Sequence, residues 1–133
     1  MAKPRAESLI AAALDVRSHA YAPYSGFQVG AALLTQSGSV YVGCNVENAS
    51  YGLTSCAERG AIFTAIAHGE RDYELIAVAS PGGVSPCGAC RQVLAEFSQQ
   101  LKILLVDADN PTHTKELTIA ELLPHRFDSG NLP

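Results

Sequence analysis

Basic residues are scarce in this chain: nine Lys and Arg stand against thirteen Asp and Glu in 133 residues, for a formal net charge of −4 and a pI near 5.4. The nine are scattered, so no stripe exists to neutralise a phosphate backbone, and a polynucleotide substrate is disfavoured. No apolar run approaches the roughly 20 residues needed to cross a bilayer. The opening Met1-Ala2-Lys3-Pro4-Arg5-Ala6-Glu7 leads into an amphipathic pattern and not a signal-peptide core, so a cytoplasmic protein is expected. Four cysteines are too few for a disulfide-built secreted scaffold, and thiols in a reducing compartment more often bind metal or do chemistry. Internal repeats and low-complexity segments are also missing. The histidines, His19, His68, His113 and His125, lack useful spacing relative to the cysteines and receive no role.

What is present suits one packed core. With 133 residues and 47% of them hydrophobic, a single domain over residues 1–133 is expected. Leu9, Ala13, Val16 and Ala20 recur at helical spacing, which predicts a helix over 5–20 that stops before Ala22-Pro23-Tyr24-Ser25-Gly26. Phe27 to Leu34 and Val40 to Val42, separated by Thr35-Gln36-Ser37-Gly38-Ser39, predict a β-hairpin. Helices are expected over 55–67 and 87–98, with strands at Leu75 to Ala79 and Lys102 to Val106. Thr118-Ile119-Ala120-Glu121 has capping-box spacing and should open a short last helix ended by Pro124. Alternating strands and helices argue for an α/β layered domain.

The functional information is concentrated in Cys56-Ala57-Glu58 and Pro86-Cys87-Gly88-Ala89-Cys90. Three thiolates can hold one Zn²⁺ and leave its fourth tetrahedral position open, which separates a catalytic from a closed structural site. A carboxylate two residues after the first ligand can handle the protons of a metal-bound water. Such a C-x-E…P-C-x-x-C pattern resembles the three-cysteine version of the zinc nucleobase deaminase signature. Cys56 and Cys87 fall at predicted helix starts, where the helix dipole favours thiolate. Zinc with three thiolates carries a net −1. Arg59 and Arg91 are candidates to offset it by hydrogen bonds to ligand sulfur.

Plainer readings compete. A lone Cys-x-x-Cys is also a redox dithiol, which leaves Cys56-Ala57-Glu58 unexplained. Ser55-x-x-Glu58 is also a capping box, and with Cys44 the other three cysteines could close a four-cysteine structural zinc. Strand alternation argues against the last, since Asn45 and Glu47 share one face and Cys44 points to the other as a core thiol.

Beyond the metal motif, the chain resembles the small cytidine deaminases along nearly its whole length. The resemblance rests on Pro23-Tyr24-Ser25-Gly26-Phe27-Gln28-Val29-Gly30-Ala31-Ala32, Gly43-Cys44-Asn45-Val46-Glu47-Asn48-Ala49-Ser50-Tyr51, Cys56-Ala57-Glu58-Arg59 and Pro86-Cys87-Gly88-Ala89-Cys90-Arg91-Gln92. It implies a three-layer α/β/α fold around a mixed five-stranded sheet, a homotetramer, and one zinc per subunit on Cys56, Cys87 and Cys90. It further implies Glu58 as the proton shuttle, Asn45 and Glu47 on the ribose 3′-hydroxyl, Phe27 against the base, and the Ala57 N–H on the base carbonyl. Ala49, Tyr51 and Phe127 would be offered to a neighbouring subunit's pocket. The implied reaction is hydrolysis of cytidine and deoxycytidine to uridine and deoxyuridine in pyrimidine salvage. A blasticidin-type aminonucleoside deaminase and a non-enzymatic zinc-stabilised module are the rival readings.

Overall fold

The computed structural model describes residues 2–97 and 100–132. Helix α1 (Ala2–Arg17), strands β1 (Gly30–Thr35) and β2 (Val40–Cys44) and helix α2 (Ala57–Ala67) form the first half. Strand β3 (Tyr73–Ser80), helix α3 (Gly88–Phe97), strands β4 (Lys102–Asp107) and β5 (Thr114–Thr118) and the short helix α4 (Ile119–Leu122) form the second. The strands lie in the order β2-β1-β3-β4-β5, with β3 and β4 parallel and every other pair antiparallel. The mixed five-stranded sheet implied by the family resemblance is present.

Strands β1, β3 and β4 are almost continuously apolar because both of their faces are covered. Alternation sends Ala31, Leu33, Ile76, Val78, Ile103 and Leu105 into one core with Ala57, Ile62, Leu94, Ile119 and Leu122 of α2, α3 and α4. The intervening Ala32, Leu34, Ala77, Ala79, Leu104 and Val106 pack with Leu9 and Ala13 of α1 on the other face. Three layers result.

Several boundaries differ from the sequence expectation, each for a local reason. Helix α1 ends at Arg17, where the Ser18 hydroxyl donates to the Asp15 carbonyl and the chain turns, so Ala20 lies outside it. Regular pairing of β1 starts at Gly30, and Phe27 to Val29 form an irregular approach held by side chains. The Ser55–Glu58 capping box does not form: Cys56 is the N-cap residue of α2, and Ser55 exchanges backbone bonds with Val46 at 2.9 and 3.0 Å. The expected third helix reaches Ser98, which lies outside the described residues. Strand β5 is not foreshadowed, since Thr114-Lys115-Glu116-Leu117-Thr118 has one half-buried apolar residue; its charges suit an exposed sheet edge. The last helix follows expectation. Thr118 Oγ1 accepts from the Glu121 N–H at 3.2 Å, and Glu121 Oε1 accepts from the Thr118 N–H at 2.9 Å.

Candidate active site

Strand β3 and its parallel neighbour β4 are joined through a loop and α3, and open sheets of this kind place sites beyond the carboxyl ends of such strands. Beyond β3 the loop Pro81 to Cys87 runs past the start of α2, and the two meet around a cavity of about 270 Å³. Cys56, Ala57 and Glu58 line it from α2, Val84, Ser85, Pro86 and Cys87 from the loop, Val78 and Ser80 from β3, and Phe27, Val29 and Asn45 from the opposite side.

The sulfurs of Cys56, Cys87 and Cys90 lie within 4.8 Å of one another, with Cys56 and Cys87 3.9 Å apart. Three thiolates about 2.3 Å from one tetrahedral ion would be about 3.8 Å apart, so the set fits one zinc per chain. Cys44 is half-buried on β2 and is not in this group among the described residues. The expected core thiol is therefore only partly covered, and it lies outside the three-sulfur group.

Glu58 is 4% exposed and opens into the cavity. Burial, reinforced by the negative charge of Cys56, pushes its carboxyl up to about 7. The Cys90 thiol, then Arg59 and Cys87, stabilise the Cys56 thiolate by hydrogen bonding and pull it down to about 5 against the effect of burial. Cys90 is correspondingly pushed up, chiefly by the bond it gives to Cys56. Arg59 Nη2 donates to Cys56 Sγ at 3.4 Å, as expected. Arg91 departs from expectation. Its Nε donates to the Pro86 carbonyl at 2.8 Å and its Nη1 to the Leu122 carbonyl at 2.7 Å, which fastens the ligand loop to the end of α4 and leaves sulfur to Arg59.

Asn45 is 8% exposed, accepting from the Val29 N–H at 2.8 Å and donating to the Phe27 carbonyl at 2.7 Å. Glu47, two residues on and likewise beyond the end of β2, lies not with Asn45 but in a neighbouring hollow of about 380 Å³ with Tyr24, Ser25, Asn48, Tyr51 and Thr54. Thr54 borders both spaces. Tyr51 is 78% exposed, its ring edge-on to Tyr24 at 6.2 Å, and Ala49 is exposed beside it. Phe127 is not brought to the cavity: the residue is 58% exposed, while its carbonyl accepts from Gln92 Nε2 at 2.8 Å.

Around this site, the chain as a whole is similar to known proteins. Residues 3–105 match the family described as the cytidine and deoxycytidylate deaminase zinc-binding region. The chain belongs to the cytidine deaminase family. It is 46% identical over 129 residues to the cytidine deaminase of Sporosarcina psychrophila, covering 95% of this chain and 93% of that one. With the Halalkalibacterium halodurans cytidine deaminase the identity is 49%, covering 95% and 96%. A 1.6 Å crystal structure of cytidine deaminase from Burkholderia pseudomallei superposes with a TM-score of 0.87 at 48% identity, covering 91% of this chain and 98% of that one. Within the deaminase fold, sequence reasoning missed the wall supplied by Val84 and Ser85. The readable signal was the Pro81-Gly82-Gly83 turn between a strand and the ligand motif, which must carry its next residues past the strand end.

Proposed function

We propose that the chain deaminates cytidine and deoxycytidine hydrolytically, with Glu58 as the group that moves the protons. The observation that carries this is a nearly buried carboxyl, at about 7, in one cavity with Phe27 and with Cys56 and Cys87 of the three-thiolate cluster. When bound by Cys56, Cys87 and Cys90, zinc supplies the Lewis acidity that brings a water's ionisation toward neutral pH. Glu58 takes a proton from the attacking water as oxygen bonds to C4 of the ring, and gives it to N3. It next carries the second proton to the exocyclic nitrogen, the C4–N bond breaks, and ammonia leaves. A carboxyl near 7 suits this sequence because its acid and base forms are both populated at neutral pH.

Phe27 offers a stacking face, and the Ala57 N–H, in the first turn of α2, meets the base carbonyl. Asn45 and Glu47 receive the ribose hydroxyl across the Thr54 border between the two hollows. Ala49, Tyr51 and Phe127 face a neighbouring subunit in a homotetramer, where their exposed apolar surface is covered. The carboxylate of Glu47 and the lack of an Arg cluster disfavour a 5′-phosphate.

An ultraviolet assay on cytidine, deoxycytidine, cytidine 5′-monophosphate and blasticidin, with zinc quantified in the same preparation, tests this reading. Turnover of both nucleosides with one zinc per chain and little turnover of the phosphate is expected. Zinc without nucleoside turnover would support a structural module, and turnover of blasticidin alone the aminonucleoside rival.

A further inference from the structure

The segment carrying Phe27 has no regular strand pairing, yet both its backbone groups are held by side chains. The Phe27 N–H donates to Ser25 Oγ at 3.0 Å, and its carbonyl accepts from Asn45 Nδ2 at 2.7 Å. Ser25 is held in turn. Its hydroxyl donates to Glu47 Oε2, and its N–H and that of Tyr24 donate to Glu47 Oε1 at 3.1 and 2.9 Å. The Ser25 hydroxyl heads the interactions that keep the Glu47 carboxyl below its ordinary value, so the acceptor is a settled anion at neutral pH. One hydroxyl thus spends its proton on Glu47 and its lone pair on Phe27. Few side chains can do both at this size.

We propose that Ser25 is a positioning residue that links the sugar-facing Glu47 to the placement of the Phe27 ring. It acts through Phe27, whose N–H it holds. The inference rests on the deaminase reading only for its kinetic consequence. A stacking ring contacts substrate and transition state alike, so loosening it weakens binding more than chemistry. Without the hydroxyl, Glu47 keeps two N–H donors and Phe27 loses the bond to its N–H. The effect therefore falls on the ring.

Ser25→Ala should raise KM for cytidine about tenfold, the scale of one or two lost hydrogen bonds, with kcat within about twofold of the parent. Ser25→Thr keeps the hydroxyl and should restore KM. In a double-mutant cycle with Phe27→Ala, Ser25→Ala should add little once the ring is gone. Independent, multiplying effects, or a fall in kcat at unchanged KM, would overturn the proposal. A second measurement needs no substrate. The chain has no tryptophan, so Phe27→Trp places a single reporter at this position. Removing the Ser25 hydroxyl in that background should lower the reporter's fluorescence anisotropy while zinc content and Tm stay unchanged. Unchanged anisotropy would overturn the link itself. If the parent fails to deaminate cytidine while anisotropy responds, the functional reading falls and the positioning role stands.

Discussion

Gly43 of β2 sits directly beneath the backbone of Ala61 in α2: a Cβ on Gly43 would lie 2.4 Å from the Ala61 nitrogen and 2.6 Å from the Ala57 carbonyl oxygen. Both neighbours are main chain, so neither can swing aside as a side chain would. The height of α2 over the sheet, and with it the placement of Cys56 and Glu58, is set by the missing methyl group.

Gly43→Ala should therefore destabilise the fold by about 1–3 kcal/mol, the usual range for overpacking, and lower both Tm and zinc content. Thermal unfolding with metal analysis reads both. An unchanged Tm with full zinc would show that α2 does not bear on Gly43 this closely.

Cys44→Ala should keep near-full zinc, whereas Cys56→Ala, Cys87→Ala and Cys90→Ala should each lose most of it. The basis is the three-sulfur group that leaves Cys44 out. Metal analysis of the four purified variants decides. Comparable zinc loss from the Cys44 variant would mean a closed four-cysteine site.

Phe127 tests whether pockets are completed between subunits. The residue is exposed on its own chain while Gln92 holds its carbonyl, so its backbone is fixed and its apolar surface lacks a full cover. Mixing Glu58→Ala with Phe127→Ala after mild dissociation and reassembly should give activity above the parents' average, because some hybrid pockets regain both residues. Subunit exchange verified by mass without that gain would remove Phe127 from the shared pocket.

Most of this architecture was legible in the sequence where local and tertiary forces agree. The buried runs of β1, β3 and β4, the reciprocal bonds of Thr118 and Glu121, and the thiol spacing all carry their cause in neighbouring residues. Elsewhere tertiary context decided. Strand β5 is polar because it is an edge, so apolar alternation cannot reveal it. Ser55 and Glu58 have capping-box spacing, yet Ser55 is taken by pairing with Val46, and Glu58 is free to enter the cavity. Arg91 is a candidate partner of sulfur because it follows Cys90, but its guanidinium reaches the Leu122 carbonyl, 31 residues along the chain. Ser25 stands in the sequence only as part of a turn and a family-like segment; its bond to Glu47 is not legible there, because the two meet only through the fold.

The raised carboxyl of Glu58 has a sign that stability can report. Because its folded value of about 7 exceeds the ordinary 4.5, the folded chain holds more of this proton than the unfolded chain between those values. Its contribution is at its most favourable below about pH 4.5 and is lost as pH rises through 7. Glu58→Gln carries no charge at any pH. It should match the parent's stability most closely near pH 5 and exceed it at pH 8, by roughly 1–3 kcal/mol. A variant less stable than the parent at pH 8 would mean that the carboxylate is held by favourable partners and not strained by burial.

Whether Glu58 moves the protons is tested most directly by single-turnover and steady-state rates of Glu58→Gln on cytidine, with zinc measured in the same sample. Full zinc, an intact fold and turnover reduced by about 10⁴-fold are expected, since one carboxyl serves several transfers and a single general acid–base group is worth about 10²–10⁴. More than about a tenth of parental activity with zinc in place would contradict the account, leaving Glu58 as a structural carboxyl at the start of α2.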